Sequence, residues 1–129
     1  MLNITSIHHL AIICSDYTVS KAFYTEILGL QILREVYRPE RNSYKLDLMV
    51  NAQYQIELFS FPNPPKRLSG PEACGLRHIA FEVEDIAHSV AVLNQKGIIT
   101  ENIRKDEYTG KLFVFFSDPD GLPIELYEF

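Results

Sequence analysis

Four residues of this 129-residue chain have types and spacing that suit metal chemistry: His9, Glu57, His78 and Glu125. They run His, Glu, His, Glu, and Glu57 follows His9 at nearly the distance at which Glu125 follows His78. Two neutral imidazoles and two carboxylates offer the nitrogen and oxygen ligands favoured by Zn²⁺, Ni²⁺, Co²⁺, Fe²⁺ or Mn²⁺, and the two carboxylates balance a divalent charge. Four protein ligands leave positions open in an octahedral shell, as chemistry on a bound substrate requires. Without a cation, two carboxylates set among apolar strand residues would be costly to bury. Each residue alone has a plainer reading, a structural His or a solvated Glu, and it is the repetition that favours a shared site. Other polar residues do not share the pattern. His8 alternates to the face opposite His9. His88 falls inside a helix and reads as solvated. Cys14 and Cys74 match no metal or redox spacing, and no base motif flanks Cys74. Arg38, Arg41, Lys45, Arg104, Lys105 and Lys111 read as solvated charges, of which one or two could meet an anionic substrate.

The elements that must position the four residues come in two copies. His9-Leu10-Ala11-Ile12 reappears as His78-Ile79-Ala80-Phe81. At nearly the same offset Asp16 matches Asp85, Ser20 matches Ser89, Gly29 matches Gly97, and Ile56-Glu57-Leu58 matches Ile124-Glu125-Leu126. The chain is therefore two copies of one module. Each opens with an apolar run, Ile4–Cys14 or Leu76–Val83, that reads as a strand. Asp16 or Asp85 then caps a helix with apolar periodicity, and Gly29 or Gly97 ends it. Three more strands are expected in each copy: Gln31–Tyr37, Tyr44–Val50 and Tyr54–Phe59, then Ile98–Arg104, Lys111–Phe116 and Leu122–Tyr127. Asp118-Pro119-Asp120-Gly121 supplies the last turn. The Pro-rich stretch 61–75 connects module 1–60 to module 76–129. The expected class is α+β: two tandem βαβββ modules in one domain over residues 1–129. Strand alternation turns Glu57 and Glu125 away from their apolar neighbours, so modules packed about a pseudo-twofold axis would bring all four side chains to one point.

Composition narrows the partners. Lys and Arg number 12 against 17 Asp and Glu, a net charge of −5, which argues against nucleic acid and anionic membranes as partners. The hydrophobic fraction of 47% and charged fraction of 22% belong to a globular chain. No apolar run approaches a membrane span, no secretory signal opens the sequence, and the expected location is the cytoplasm with reduced thiols.

The sequence resembles the vicinal oxygen chelate superfamily, which includes glyoxalase I, methylmalonyl-CoA epimerase, fosfomycin-resistance proteins and extradiol dioxygenases. The segments that carry the likeness are His9-Leu10-Ala11-Ile12 with Asp16, Ala22-Phe23-Tyr24, Leu28-Gly29-Leu30, Ile56-Glu57-Leu58, Gly75–Val83, and Asp118-Pro119-Asp120-Gly121 through Leu126. The resemblance implies paired βαβββ modules whose sheets form a cup around a metal, a small-molecule substrate, and a homodimer. Small bacterial glyoxalase I is the most similar branch, because its His, Glu, His, Glu ligands fall on His9, Glu57, His78 and Glu125. That branch is a metal-dependent lyase that isomerises the hemithioacetal of a 2-oxoaldehyde through a metal-stabilised enediolate, with a ligand glutamate, here Glu125 or Glu57, as base. Ile13 stands where those enzymes carry an Arg for glutathione, and Phe61 where they carry an Asn. The alternatives are an acyl-CoA epimerase, whose first-module ligand is typically Gln rather than Glu57, and a non-catalytic antibiotic-binding resistance protein.

Overall fold

A computed structural model describes all residues from Met1 to Phe129. The chain divides into two compact units, Met1–Lys66 and Arg67–Phe129.

In the first unit β1 (Leu10–Cys14) leads to α1 (Tyr17–Ala22), which continues as a π-helical turn over Phe23–Ile27. The Asp16 carboxylate accepts the Val19 N–H at 3.2 Å, satisfying one of the free donors at the start of α1. The wider turn is closed by the Leu28 N–H donating to the Phe23 carbonyl, and Gly29, at φ +74°, then reverses the chain. β2 (Gln31–Arg38), β3 (Ser43–Val50) and β4 (Gln53–Ser60) follow, giving a sheet of order β1-β4-β3-β2 with β1 parallel to β4 and the other pairs antiparallel. Its core face is set by register: Leu46 opposes Leu58 and Leu48 opposes Ile56, and all four are essentially inaccessible. Phe23 and Tyr24 from the helical turn are buried with them.

The second unit repeats this order with β5 (Ile79–Val83), α2 (Ile86–Gln95), β6 (Arg104–Lys105), β7 (Leu112–Ser117) and β8 (Pro123–Glu128), in the sheet β5-β8-β7-β6. Asp85 caps α2 through the His88 N–H at 2.9 Å. Val114, Phe116, Ile124 and Leu126 form the sheet's core face, and Ile86 and Leu93 of α2 are buried as well. The Asp118 carboxylate accepts the Asp120 and Leu122 N–H groups, each at 2.9 Å, which fixes the turn entering β8. The expected strand–helix–strand–strand–strand order is present in both units.

Two expected strands are shorter than their apolar runs. The strand expected over Ile4–Cys14 begins at Leu10, and Ile4 and Ile7 are exposed. The strand expected over Ile98–Arg104 reduces to Arg104–Lys105, because only these residues pair with β7. Upstream of Arg104 the Glu101 N–H donates to the Phe115 carbonyl of β7 at 2.8 Å, but a run whose N–H and C=O groups are not shared in a continuous ladder does not become a strand. The connector also divides differently from expectation: from Arg67 onward it belongs to the second unit, where Arg67 Nη2 donates to the Leu76 and Arg77 carbonyls at 2.5 and 3.1 Å and Ser69 Oγ donates to the Gly121 carbonyl at 2.8 Å. Cys14 is buried, Cys74 is exposed, and neither is in a disulfide.

Candidate functional site

Each unit brings one expected His to its expected Glu. In the first, β1 and β4 are parallel with Ala11 opposite Glu57, so His9, two residues before Ala11, reaches the face of the sheet that carries Glu57. His9 Nε2 lies 3.4 Å from Glu57 Oε2. In the second, Ala80 is opposite Glu125, and His78 Nε2 lies 3.1 Å from Glu125 Oε2. Both carboxylates are nearly covered, with side-chain exposures of 11% and 12%. Two ligands held about 2.0–2.2 Å from one ion at octahedral or tetrahedral angles lie roughly 3.0–3.5 Å apart, so both donor pairs have the separation a shared ion demands. The His78 Nδ1 atom is buried without a hydrogen-bond partner, which leaves Nε2 as the nitrogen that meets the carboxylate. No third His, Cys, Asp or Glu joins either pair as a ligand group, so each unit by itself supplies two donors.

The surroundings of the two pairs differ. Glu57 Oε1, the oxygen turned away from His9, accepts a short hydrogen bond from Tyr54 Oη and lies 3.2 Å from Lys45 Nζ. Lys45 Nζ is also 3.1 Å from Asp47 Oδ1, and Arg34 reaches Asp47 Oδ2 through Nε at 3.0 Å and Nη2 at 2.9 Å. Asp47 is 1% exposed, a buried charge kept ionised by two cations. Burial pushes the Glu57 and Asp47 carboxyls up, but the Tyr54 and Lys45 contacts at Glu57, and Lys45, Arg34 and Tyr54 at Asp47, outweigh it and hold both below their ordinary range. Burial and the adjacent carboxylates push the Tyr54 hydroxyl up, so it stays a donor.

At the matching register Phe115 opposes Glu125 where Asp47 opposes Glu57. The Phe115 ring meets the His78 ring edge to face, with centroids 5.1 Å apart, and Phe113 lies edge-on to Phe115. The His78 ring is thus the one polar partner placed against the Glu125 carboxylate by a hydrogen bond or ion pair. The same unit holds a cleft of about 260 Å³ lined by His78 and Phe115 together with Arg67, Ser69, Arg77 and Arg104.

Several expectations need correction. His8 does not turn away from His9: strand alternation does not govern it because β1 begins at Leu10, and its Nδ1 lies 2.8 Å from His9 Nδ1 with its ring against Tyr54. Lys45 is not a solvated charge but an ion-pair partner of Asp47 and Glu57. Tyr54 and Asp47 were not singled out by sequence reasoning. The available signal was Lys45-Leu46-Asp47-Leu48, alternating charges in a strand whose repeat counterpart is Phe113-Val114-Phe115-Phe116.

Comparison with known proteins agrees with this architecture. The profile of the glyoxalase/bleomycin resistance protein/dioxygenase superfamily matches residues 6–126, and the chain belongs to that superfamily. It is 63% identical to the uncharacterized protein YwkD of Bacillus subtilis (strain 168) over 123 residues, 95% of this chain and 96% of the relative. Among solved structures it is similar to a glyoxalase family protein from Enterococcus faecalis, with 51% identity, a TM-score of 0.89, and coverage of 98% of this chain and 100% of the other. It is similar also to the trypanothione-dependent glyoxalase I of Leishmania major, with 27% identity, a TM-score of 0.74, and coverage of 97% and 87%.

Proposed function

We propose that the chain is a metal-dependent lyase of the glyoxalase I type, acting on the hemithioacetal of a 2-oxoaldehyde, with His9, Glu57, His78 and Glu125 as ligands of one divalent ion. The observation that carries this reading is the pair of His–Glu contacts, each at a ligand-to-ligand distance and each supplying only half of a four-ligand set. Held by these residues, a divalent ion would supply Lewis acidity toward the substrate's carbonyl. The chain's own residues divide the remaining work. Glu57, fixed by Tyr54 and Lys45, stays an anionic anchor. Glu125, whose Oε1 is not tied by a hydrogen bond, takes the proton from the carbon bearing the thioether and returns it to the adjacent, former carbonyl carbon. The carbonyl moves one carbon along, and the product is a 2-hydroxyacyl thioester. Phe115, edge to face against His78, holds that imidazole in place beside the carboxylate during the transfer.

The functional protein in this reading is a homodimer. β2, an edge strand, is exposed along nearly its whole length and carries Ile32, Leu33 and Val36, apolar surface that a second copy would cover. The unbridged thiols of Cys14 and Cys74 accord with a reducing cytoplasm.

The test is a screen of metal-reconstituted protein against methylglyoxal with several thiols, run beside an assay for proton exchange at carbon in acyl-CoA substrates. Hemithioacetal turnover that is lost in Glu125→Gln supports the reading. Exchange with acyl-CoA alone moves the assignment to an epimerase, and tight ligand binding without turnover under any metal moves it to a binding protein.

A further inference from the structure

The cleft beside His78 has a charge unlike the rest of the chain. Its walls carry three arginines, Arg67, Arg77 and Arg104, against two acidic residues, Glu72 and Glu101, in a chain of net charge −5. The three arginines are not equivalent. Arg67 is committed to the backbone: Nε donates to Ser69 Oγ at 2.9 Å, and Nη2 to the Leu76 and Arg77 carbonyls, which holds the approach to His78 in place. Arg77 and Arg104 have weaker commitments. Arg77 Nη1 is 3.6 Å from Glu72 Oε1, with side chains 69% and 70% exposed. Arg104 Nη2 is 3.1 Å from Glu101 Oε2, with side chains 54% and 62% exposed. Exposed pairs of this kind contribute little, so an incoming anion can replace the glutamates without a large loss.

The placement of Arg104 is the more telling. Its guanidinium lies over the Phe113 ring, 4.9 Å from the centre, and 5.6 Å from the centre of Phe115, the ring that meets His78. The aromatic contact restricts the guanidinium and leaves N–H groups available to an anion. A guanidinium so held suits bidentate recognition of a carboxylate or a phosphate. One aromatic ring separates it from the imidazole of His78.

We infer that the cleft of the second unit is an oxyanion subsite, in which Arg104 and Arg77 receive a carboxylate or phosphate carried by the substrate a few atoms from its reacting carbons. The inference rests on the catalytic reading given above for the substrate's reacting end. The binding site itself needs neither metal nor turnover. The substrate class narrows to a 2-oxoaldehyde adduct or related compound with an anionic tail, the tail lying on the His78 side.

The test is a titration of the full chain, kept metal-free with chelator, with inorganic phosphate and separately with succinate, at low and high salt. Amide and arginine Nε–H resonances report binding. Saturable shifts confined to Arg77, Arg104 and their neighbours are expected. Arg104→Gln and Arg77→Gln should each weaken binding roughly tenfold, the loss of a charge-assisted bidentate contact. Glu101→Gln, which frees Arg104, should tighten it, an effect that a purely structural role for Arg104 would not produce. Arg41→Gln, in the other unit, should change nothing. Preference for succinate or for phosphate assigns the tail as carboxylate or phosphate. Shifts that never saturate, or affinities equal in wild type, Arg104→Gln and Glu101→Gln, would overturn the inference. Because the protein is metal-free, failure of the lyase reading leaves this outcome unaffected, and absence of anion binding leaves hemithioacetal turnover to be judged separately.

Discussion

Beside its conserved-in-repeat glutamate the first unit carries Asp47 on β3, and at the same register the second carries Phe115 on β7. Around that exchange the local chemistry is inverted. Lys45, Arg34 and Tyr54 surround Glu57 and Asp47 with donors, whereas Phe115 sets its ring against His78 and Phe113 packs on Phe115. Strand order, register and the helix-capping aspartates are common to both units, so the difference does not come from the backbone. It comes from which side chains occupy the second face of the middle strands. Against the upward push of burial, the phenol and cation beside Glu57 stabilise its anion and hold its carboxyl below the ordinary range. Duplicated modules can in this way diverge in the surroundings of matching residues without a change of fold.

The largest expected effect comes from the proposed base. Glu125→Gln should lower kcat for the hemithioacetal by roughly 10²–10⁴-fold, and Glu57→Gln should act mainly by lowering metal affinity, so that excess metal restores part of its activity. Equal loss in both, with no rescue by metal, would erase the division of labour. Next is Lys45→Met, which leaves Asp47 with Arg34 as its one cation and removes the cation from Glu57. The metal-free protein should lose about 1–3 kcal/mol in denaturant unfolding, whereas Phe113→Met, at the matching position, should cost less. Tyr54→Phe should weaken metal binding about tenfold, as expected for loss of a group that orients a ligand, and cost about 1 kcal/mol in unfolding, the loss of a hydrogen bond to a nearly covered carboxylate. The smallest effect concerns Glu35, which ties β2 to α1 by accepting from Lys21 Nζ at 2.7 Å and from the Tyr17 hydroxyl. Those bonds, Lys21 first, hold its carboxyl below the ordinary 4.5. The folded form therefore binds the proton less readily than the unfolded one, and the contribution is complete above pH 4.5 and lost as pH falls through the lowered value. Glu35→Gln should flatten this acid limb of the stability–pH curve by under about 1 kcal/mol, since the pair is one-third exposed.

Much of this site was legible in the chain because the repeat aligned it. The His and Glu positions, the capping Asp16 and Asp85, and the turn at Asp118–Gly121 each depend on local residue chemistry, which a sequence displays directly. What was hidden depends on neighbours in space. Ile4–His9 and Ile98–Ile103 have strand composition, but neither forms a continuous ladder with a neighbouring strand: in the second stretch the Glu101 N–H reaches the Phe115 carbonyl of β7, while Ile99 is 90% exposed. Lys45 read as solvated because the strand's own alternation cannot show that Asp47 and Glu57 both lie within reach on the same face. His8 was assigned to the wrong side by an alternation rule that applies only inside a strand. The asymmetry itself was in the sequence as a broken repeat, Lys45-Leu46-Asp47-Leu48 against Phe113-Val114-Phe115-Phe116, and a search for mismatches between the copies would have found it.

The most direct measurement is the metal content of the purified protein, by elemental analysis, beside one variant from each unit. One divalent ion per chain is expected in the wild type. Glu57→Ala and His78→Ala should each lose most of it, because each removes one ligand of a single shared set. Metal content equal to wild type in both variants, with both folded, would contradict the assignment of His9, Glu57, His78 and Glu125 as one centre.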